Sequence, residues 1–462
     1  MALIASISGV RGTIGGKPGE NFTPLDIVKF TSAYGFQIRK KFGKGKIVVG
    51  RDGRVSGPIV SQLVTSTLSA IGLDVLDLGL STTPTVEMAV TMEKAAGGII
   101  ISASHNPFQW NALKLLNENG EFISANDGES ILNIAKEQSF EFAEVQKTGI
   151  ITKNDSFLKK HIEAILDLSL VDTKAIEAAD FKIILDGINS SGGIAVPMLL
   201  EALGVRTVKK INCEPTGQFA HNPEPLPENI TTISSELKKG EFDLGIVVDP
   251  DVDRLAFLCE DGEPFGEEYT LVAVADYILK NKKGPTVSNL SSSKALMDLT
   301  EKHGQTYYPS AVGEVNVVAK MKEVNAVIGG EGNGGIIYPD LHYGRDALVG
   351  IALFLSHLAQ INKPVSGVRS SYPQYVISKN KIELTPEIDL DNILNQLSGK
   401  YTKNQQIDID GLKIFFENDW VHLRKSNTEP IIRIYAESDA APKAGRLAQK
   451  IMEDIRDLIK VN

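Results

Sequence analysis

The sequence predicts a protein of several α/β domains that ends in a smaller domain of a different, α+β type. Its 462 residues are more than a single hydrophobic core usually supports. Short apolar segments alternate with helical segments over residues 23–358, and strand candidates then cluster before one closing helix over residues 374–460. This change of pattern predicts α/β layers with largely parallel strands, followed by an α+β tail.

The first group of predicted elements begins with a clear helix start. Thr23 is a favourable N-cap, and Pro24 suits the first helical turn because its fixed φ angle matches the helix. The short apolar runs between the helices are typical of buried strands. The helix candidates are residues 23–43 and 56–72, and the strand candidates are residues 46–50, 74–79 and 98–101.

The strand–helix pattern then restarts twice. The first restart has strand candidates at residues 181–185 and 243–248, with helix candidates at 190–203 and 231–239. The second has strand candidates at 286–290 and 326–329, with helix candidates at 269–280, 294–303 and 347–358. The loops at 256–266 and 362–372 are the predicted boundaries, and the second is a candidate hinge. The tail has strand candidates at 374–378, 413–417, 420–424 and 431–436 and a helix candidate at 442–460.

Composition and charge exclude some classes of function. The 48 basic and 58 acidic residues give a formal charge of −10, which argues against general nucleic-acid binding. The two cysteines, Cys213 and Cys259, are too few for a disulfide framework and fit a reducing compartment. The chain shows neither a signal-peptide pattern nor an apolar run of about 20 residues. We therefore expect a cytoplasmic protein without a membrane or nucleic-acid partner; the sequence makes no prediction about oligomeric state.

The first loop with potentially reactive side chains follows the strand candidate at 98–101 and reads SASHNP. It places Ser104 beside His105, at the point where a buried strand must end. One interpretation is an ordinary turn, since serine and Asn-Pro favour turns. The other is a reactive serine, which would need a base or a prior modification because a hydroxyl alone is a poor nucleophile.

The second loop reads DPDVDR and follows the apolar strand candidate at 243–248. Asp249, Asp251 and Asp253 repel one another unless a cation lies among them, and their oxygens suit Mg²⁺ or Ca²⁺. An EF-hand is disfavoured because Arg254 stands where that loop needs glycine, although Glu260 falls at its twelfth position. The Asp-x-Asp loop of haloacid-dehalogenase-like phosphatases and a solvated acidic turn remain alternatives.

The third loop, residues 329–335, reads GGEGNGG. Its five glycines let the backbone approach a ligand closely, and Glu331 and Asn333 offer donors and acceptors suited to sugar hydroxyls or amines. The glycine order matches neither a Rossmann fingerprint nor a P-loop. A flexible turn is the alternative interpretation.

The fourth loop, residues 424–433, reads RKSNTEPIIR. Arginine side chains bind phosphate oxygens in a bidentate manner, and hydroxyls and backbone N–H groups can complete a phosphate site. A basic surface turn is the alternative.

Taken together, a hydroxyl, a metal loop, a polyol-facing loop and a phosphate loop fit a phosphorylated sugar that is held at both ends. A metal-dependent phosphatase and a non-catalytic calcium- or sugar-binding protein are the hypotheses from other classes.

These four loops, in this order and spacing, resemble the α-D-phosphohexomutase superfamily of phosphoglucomutases, phosphomannomutases and phosphoglucosamine mutases. The resemblance covers essentially the whole chain. It implies a heart-shaped architecture of three α/β domains and a C-terminal α+β domain like the TATA-binding protein. The implied domains, which carry the phosphoserine, metal, sugar-binding and phosphate-binding loops in turn, are residues 1–150, 151–256, 257–366 and 367–462.

The resemblance also implies a reaction. Ser104 would be a phosphoserine in the active enzyme and would exchange its phosphate with O6 and O1 of a hexose through a bisphosphosugar. A sugar 1,6-bisphosphate would be the activator. Asp249, Asp251 and Asp253, together with a phosphoserine oxygen of Ser104, would bind one Mg²⁺ per chain, and this ion would offset charge on the transferred phosphoryl group.

The same resemblance gives individual residues a role. Lys114, in the segment NALK, and Arg11, in SGVRG, are candidates for general acid–base assistance. His105 is a supporting hydrogen-bond partner rather than the base. The candidates for substrate binding are Arg254, Glu331 and Asn333 and, for the non-reacting phosphate, Arg424, Ser426, Asn427, Thr428 and Arg433.

The third loop departs from the commonest pattern of the superfamily, Gly-Glu-x-Ser-Gly-His. Asn333 replaces the serine and Gly335 replaces the histidine, a variant most similar to phosphoglucosamine mutase-like members. We therefore expect conversion of glucosamine 6-phosphate to glucosamine 1-phosphate, with a phosphoglucomutase/phosphomannomutase of broad specificity as the alternative. The remaining histidines show no ligand spacing and receive no role; they are His161, His221, His303, His342, His357 and His422.

Overall fold

The computed structural model describes residues 3–6, 9–384, 388–425 and 431–461. Within these residues the strands form four sheets, of which three are mixed and the last is antiparallel. Helices pack against each sheet. The predicted class, three α/β domains followed by a different C-terminal domain, is confirmed.

The first sheet has the strand order β1-β2-β6-β5-β3-β4-β7. Only β5, β3, β4 and β7 run parallel, so the expectation of largely parallel strands is wrong for half of this sheet. The first helix begins as predicted, with Thr23 Oγ1 donating to Asp26 Oδ2 at 2.5 Å. The elements are β1 (Leu3–Ser6), β2 (Gly9–Thr13), α1 (Pro24–Phe42), β3 (Lys46–Arg51), α2 (Gly57–Ile71), β4 (Asp74–Leu80), α3 (Thr83–Met92), β5 (Gly97–Ile101), β6 (Trp110–Leu116), α4 (Ala125–Glu137) and β7 (Ile151–Lys153).

The second sheet has three parallel strands and one antiparallel edge strand, in the order β11-β10-β8-β9. Its elements are α5 (Phe157–Leu166), α6 (Thr173–Ala179), β8 (Lys182–Asp186), α7 (Gly192–Ala202), β9 (Thr207–Ile211), α8 (Thr231–Leu237), β10 (Leu244–Val248) and β11 (Leu255–Cys259). The loop predicted at 256–266 is partly wrong, because the buried apolar run LAFLC pairs with β10 as β11. The predicted domain limit at 256/257 falls within this strand; the domain limits stay a prediction.

The third sheet repeats this arrangement in the order β13-β12-β14-β15, again with one antiparallel edge strand. Its elements are α9 (Glu267–Asn281), β12 (Thr286–Asn289), α10 (Ala295–Lys302), β13 (Tyr307–Ser310), α11 (Glu314–Val324), β14 (Ile328–Glu331), β15 (Gly335–Ile337), α12 (Ala347–Ile361) and α13 (Val365–Arg369). One continuous apolar cluster serves the second and third sheets. Within it Phe257 stacks on Phe354 with ring centroids 4.1 Å apart.

The fourth sheet is antiparallel, in the order β16-β20-β19-β18-β17. Two helices cover it around a separate apolar cluster. Its elements are β16 (Val376–Glu383), α14 (Leu390–Lys400), β17 (Gln406–Ile407), β18 (Leu412–Phe416), β19 (Asp419–Lys425), β20 (Ile431–Ser438) and α15 (Ala441–Val461). No helix among the described residues is both long enough and apolar enough to cross a membrane.

Candidate active site

The predicted reactive serine lies in a loop between β5 and β6. Ser104 has a φ angle of 47°, a left-handed conformation that is uncommon for residues other than glycine. Its backbone N–H donates to Ser102 Oγ at 2.9 Å. A residue keeps such a conformation where its surroundings hold it there, so the loop presents the Ser104 hydroxyl in one defined place.

Arg54 holds this loop and was not identified from the sequence. Its side chain is fully buried between β3 and α2 and uses all five of its N–H donors. One donor goes to Asp52 Oδ2 at 3.0 Å. The other acceptors are backbone carbonyls of the serine loop and the start of β6: Ser104 (2.5 Å), Asn106 (2.7 Å), Pro107 (2.8 Å) and Trp110 (2.9 Å).

The three predicted metal ligands lie in the turn between β10 and β11. Asp249, Asp251 and Asp253 have no exposed surface, and one carboxylate oxygen of each lies within 4.8 Å of the others. Ser104 Oγ donates to Asp249 Oδ2 at 2.8 Å, so the serine loop of the first sheet meets the aspartate loop of the second. Asp249 Oδ1 accepts the backbone N–H groups of Asp253 and Arg254, both at 3.1 Å.

The donor set fits a divalent cation. The Oδ1 atoms of Asp251 and Asp253 are buried, and neither has a hydrogen-bond partner among the described residues. Burial, followed by the charges of Asp253 and Asp251, raises the pKa of Asp249 well above its usual value. Buried polar atoms without partners are rare in proteins, and hard carboxylate oxygens are the ligands that Mg²⁺ prefers. A cation among these oxygens would satisfy them and relieve the repulsion.

Lys114, on β6 of the first sheet, lies beside the three aspartates of the second sheet. Its Nζ is 2.6 Å from Asp251 Oδ2 and 3.0 Å from Asp253 Oδ2. Burial opposes the charged form, but the two carboxylates outweigh it and hold the pKa of Lys114 above its usual value. The ammonium group therefore stays charged at neutral pH and can donate hydrogen bonds and offset negative charge nearby.

The other two predicted catalytic residues, His105 and Arg11, occupy the same region. His105 Nδ1 is 3.3 Å from Ser104 Oγ. Burial, together with the charge of Arg254, lowers the pKa of His105 to about 2, so its imidazole is neutral at neutral pH. Arg11 lies on β2 opposite Ala112 of β6, and its charge also acts on His105. A neutral ring with so low a pKa suits a hydrogen-bonding partner better than a proton carrier.

The predicted sugar loop joins β14 to β15 and lies against the aspartate loop. The carboxylate of Glu331 is almost completely buried and accepts three hydrogen bonds, from Asn289 Nδ2 (2.8 Å), Gly313 N (3.1 Å) and Arg345 Nη1 (2.7 Å). Asn333 Oδ1 accepts the N–H of Gly335 at 3.2 Å. Glu331 is therefore oriented by protein donors on both of its oxygens.

Arg345 joins the sugar loop to the aspartate loop and was also missed by sequence analysis. Besides Glu331, its guanidinium contacts Asp253 Oδ2 at 2.8 Å and Glu314 Oε2 at 3.1 Å. A Cβ atom at Gly335 would overlap with Cδ of Arg345. The glycine that departs from the commonest superfamily pattern therefore makes room for this arginine.

The fourth loop is described only at its two ends. Arg424 on β19 and Arg433 on β20 are directly opposite partners in the sheet. Two neighbouring guanidinium groups repel each other, an arrangement that favours a bound anion. Ser426, Asn427 and Thr428, the other predicted phosphate ligands, lie outside the described residues.

The C-terminal domain docks on loops of the third domain. His422 Nδ1 is 3.0 Å from Ser291 Oγ, and Lys413 Nζ donates to the carbonyl of Leu290 at 2.7 Å. The charge of Glu331 also acts on Arg424. Arg254, the remaining predicted substrate ligand, donates to Glu224 Oε1 at 3.2 Å.

Comparisons with known proteins agree with this architecture. Four models of the phosphoglucomutase/phosphomannomutase family match the chain in order. They describe the alpha/beta/alpha domains I, II and III and the C-terminal domain, and they match residues 4–142, 159–262, 266–375 and 386–454.

Two curated relatives and one solved structure extend the match to almost the whole chain. A phosphoglucomutase/phosphomannomutase of Thermococcus kodakarensis is 34% identical, over 96% of this chain and 97% of the relative. A probable phosphoglucosamine mutase of Methanopyrus kandleri is 30% identical, over 98% of both chains. The crystal structure of a phosphoglucomutase/phosphomannomutase family protein from Burkholderia thailandensis superposes with a TM-score of 0.85 at 23% identity, covering 98% of this chain and 97% of that chain.

The first testable prediction concerns Arg54. Arg54→Lys keeps the charge but leaves several loop carbonyls without a donor, so the Ser104 hydroxyl should move from its place. We expect kcat to fall about 100-fold, because misplacement of a reacting group by about 1 Å has effects of this size. Steady-state kinetics measure the effect. Arg39→Lys is the matched control. Arg39, on the last turn of α1, also binds a backbone carbonyl, that of Ile71 at the end of α2, which lies outside the serine loop. Equal kcat values in both variants would contradict the assigned role of Arg54.

The second prediction concerns the metal. Asp251→Asn removes a charged ligand, so the dissociation constant for Mg²⁺ measured by calorimetry should rise about tenfold or more. Asp261→Asn, at an exposed acid just beyond β11, is the control and should leave the constant unchanged. An unchanged constant in Asp251→Asn would show that Mg²⁺ binds elsewhere.

Proposed function

The chain belongs to the phosphoglucomutase/phosphomannomutase family, and from this premise we propose that Ser104 carries the phosphate that the enzyme moves between O6 and O1 of a hexose. The activity itself, that of a phosphohexomutase acting on hexose phosphates, follows from the family. The observation that carries the proposal is the 2.8 Å hydrogen bond from Ser104 Oγ to Asp249. It places the hydroxyl against the only three-carboxylate group that the described residues offer for a metal.

The proposed transfer has a balanced course. A sugar hydroxyl attacks the phosphorus of phosphorylated Ser104, the bond from phosphorus to Oγ breaks, and its electron pair returns to Oγ. Lys114, whose ammonium group contacts both Asp251 and Asp253, is proposed to donate a proton to the departing Oγ and to take back the proton that the attacking sugar hydroxyl releases. In the return step, Ser104 Oγ attacks the other phosphate of the bisphosphosugar, the bond from that phosphorus to the sugar oxygen breaks, and the proton of the Ser104 hydroxyl ends on the sugar oxygen. Mg²⁺ at Asp249, Asp251 and Asp253 would offset charge on the phosphoryl group.

The remaining residues divide into binding and support. Arg254 and the two arginines of the C-terminal sheet, Arg424 and Arg433, are proposed to hold the substrate, with the phosphate that does not react bound by the pair. His105 is proposed as a neutral hydrogen-bonding partner of Ser104, and Arg11 as an electrostatic neighbour. A bisphosphosugar that turns around would let each phosphate occupy each place, which explains why an anion site lies so far along the chain from Ser104.

We propose glucosamine 6-phosphate and glucosamine 1-phosphate as the substrate pair. Support comes from Asn333 and Gly335 in the sugar loop and from the relatives named phosphoglucosamine mutases at about 30% identity. A broad phosphoglucomutase/phosphomannomutase is the second candidate, favoured by the 34% identical relative of that name. Glu331 favours neither, because Arg345 already pairs with its carboxylate and leaves it poorly suited to a substrate ammonium group.

The third prediction tests the role of Ser104. Intact-mass spectrometry of the protein treated with a hexose 1,6-bisphosphate should show an added mass of about 80 Da, that of one phosphoryl group. Ser104→Ala should lose this adduct, and its kcat should fall by orders of magnitude because covalent catalysis is removed. Ser61→Ala, at a buried serine of α2, is the control. A Ser104→Ala enzyme with a near-normal rate would refute the phosphoserine, and net release of inorganic phosphate would favour the phosphatase alternative.

The fourth prediction tests the substrate. With bisphosphate activator present, kcat/KM should be highest for glucosamine phosphate in a panel that also contains glucose, mannose and N-acetylglucosamine phosphates. The comparison is made at one pH and one Mg²⁺ concentration. A value for glucose or mannose phosphate that equals or exceeds that for glucosamine phosphate would reject the glucosamine assignment in favour of the broad enzyme.

A further inference from the structure

A second group of possible metal ligands lies where elements of the three α/β domains meet. His161 comes from α5, while His342 and Asp346 come from the segment before α12. His161 Nε2 is 2.9 Å from Asp346 Oδ2, and His342 Nε2 is 3.3 Å from the same oxygen. One ligand atom from each of the three side chains lies within 4.8 Å of the others. None of these residues belongs to the four loops described above.

The second polar atom is hydrogen-bonded in His161 and Asp346, and in His342 it faces a carboxylate. His161 Nδ1 is 3.0 Å from Thr85 Oγ1 of α3, and His342 Nδ1 is 3.4 Å from Glu87 Oε2 of the same helix. Asp346 Oδ1 accepts the backbone N–H groups of Leu348 and Val349 in the first turn of α12. Metal-binding histidines in proteins almost always donate their second ring N–H to such a partner, which fixes the tautomer. Here this arrangement directs both Nε2 atoms toward Asp346 Oδ2.

The spacing of the three atoms suits a small cation. Zinc binds histidine nitrogen at about 2.0–2.1 Å and carboxylate oxygen at about 2.0–2.2 Å, so adjacent ligand atoms of a tetrahedral site lie about 3.3 Å apart. The two nitrogen–oxygen distances to Asp346 Oδ2, 2.9 and 3.3 Å, are close to this value. Each of the two nitrogens is therefore spaced from the oxygen as in a tetrahedral site.

A network of hydrogen bonds alone leaves this cluster incomplete. Glu87 is 1% exposed, and both of its carboxylate oxygens lack a hydrogen-bond partner among the described residues. His342 Nδ1, which faces Glu87, also lacks one within the described part of the chain. A cation bound to His342 Nε2 would polarise the ring and draw its Nδ1–H toward Glu87 Oε2, which is 3.4 Å away.

We propose that His161, His342 and Asp346 bind a first-row transition-metal ion, such as Zn²⁺, at the junction of the three α/β domains. Thr85 and Glu87 orient the two imidazoles. Imidazole ligands favour zinc-like ions over Mg²⁺, which prefers oxygen, so this site and the aspartate triad take different metals. The bound ion cross-links segments that are distant in sequence and so acts on the assembly of the domains.

The experiment measures bound zinc rather than activity. The full-length protein is incubated with ZnCl₂ and dialysed against metal-free buffer that contains MgCl₂, and zinc per chain is then determined by mass spectrometry. We expect one zinc per chain in the wild type and in Asp251→Asn. The zinc should be lost in His161→Gln and in His342→Gln. His303→Gln is the matched control, since His303 also faces an aspartate, Asp276, at 2.8 Å but lies outside the cluster.

Two further measurements keep the proposal falsifiable if a histidine variant fails to fold. In Glu87→Gln, the dissociation constant for zinc should rise about 10- to 100-fold, as expected for an outer-sphere partner of a ligand. Zinc-edge X-ray absorption of the wild type should show two imidazole nitrogens. The proposal is overturned if the wild type retains no zinc, if the histidine variants retain as much as the wild type, if Asp251→Asn loses the zinc, or if the absorption spectrum shows oxygen ligands only.

Discussion

The site depends on the burial of three like charges on one short turn. Asp249, Asp251 and Asp253 have no exposed surface, so water cannot screen their mutual repulsion. The protein supplies positive charge from both neighbouring domains, through Lys114 at 2.6 Å from Asp251 and Arg345 at 2.8 Å from Asp253. Asp251 Oδ1 and Asp253 Oδ1 still lack a hydrogen-bond partner among the described residues, and a bound cation would satisfy both. The same electrostatic requirement therefore favours a cation at this place, and it brings together charged side chains from all three α/β domains.

The first three loops predicted to form the site are placed by strands and held by buried arginines. In the second and third sheets, the predicted site turn connects the last parallel strand to an antiparallel edge strand, so both of its ends are anchored by ladder hydrogen bonds. The serine loop lies between the antiparallel strands β5 and β6 and is longer. Arg54 holds it by binding three of its carbonyls and that of Trp110 at the start of β6. Arg345 likewise holds the aspartate loop and the sugar loop together, because its guanidinium donates to both Asp253 and Glu331.

Features that depend on neighbouring residues were predictable from the sequence, whereas contacts between residues far apart in the chain were not. The N-cap Thr23, the apolar strands and the aspartate turn each depend on neighbouring residues, and the structure has them where they were expected. Arg54 and Arg345 look like ordinary arginines in sequence, because their partners lie 50 and 92 positions away. The prediction of a loop at 256–266 missed the edge strand β11. A short apolar run does not reveal in the sequence that it pairs antiparallel with the strand before it. His161 and His342 likewise show no ligand spacing and meet only in the fold.

The sugar loop and Arg345 form one physical unit, and this affects how substrate preference is inferred. A side chain at Gly335 and the observed position of Arg345 exclude each other, because a Cβ atom at residue 335 would overlap with Cδ of the arginine. Arg345 in turn neutralises Glu331, the loop's only carboxylate. The pairing of Arg345 with Glu331 in this position therefore depends on glycine at residue 335. This glycine affects the charge of the loop as well as its shape, and Asn333 is the loop's neutral polar side chain.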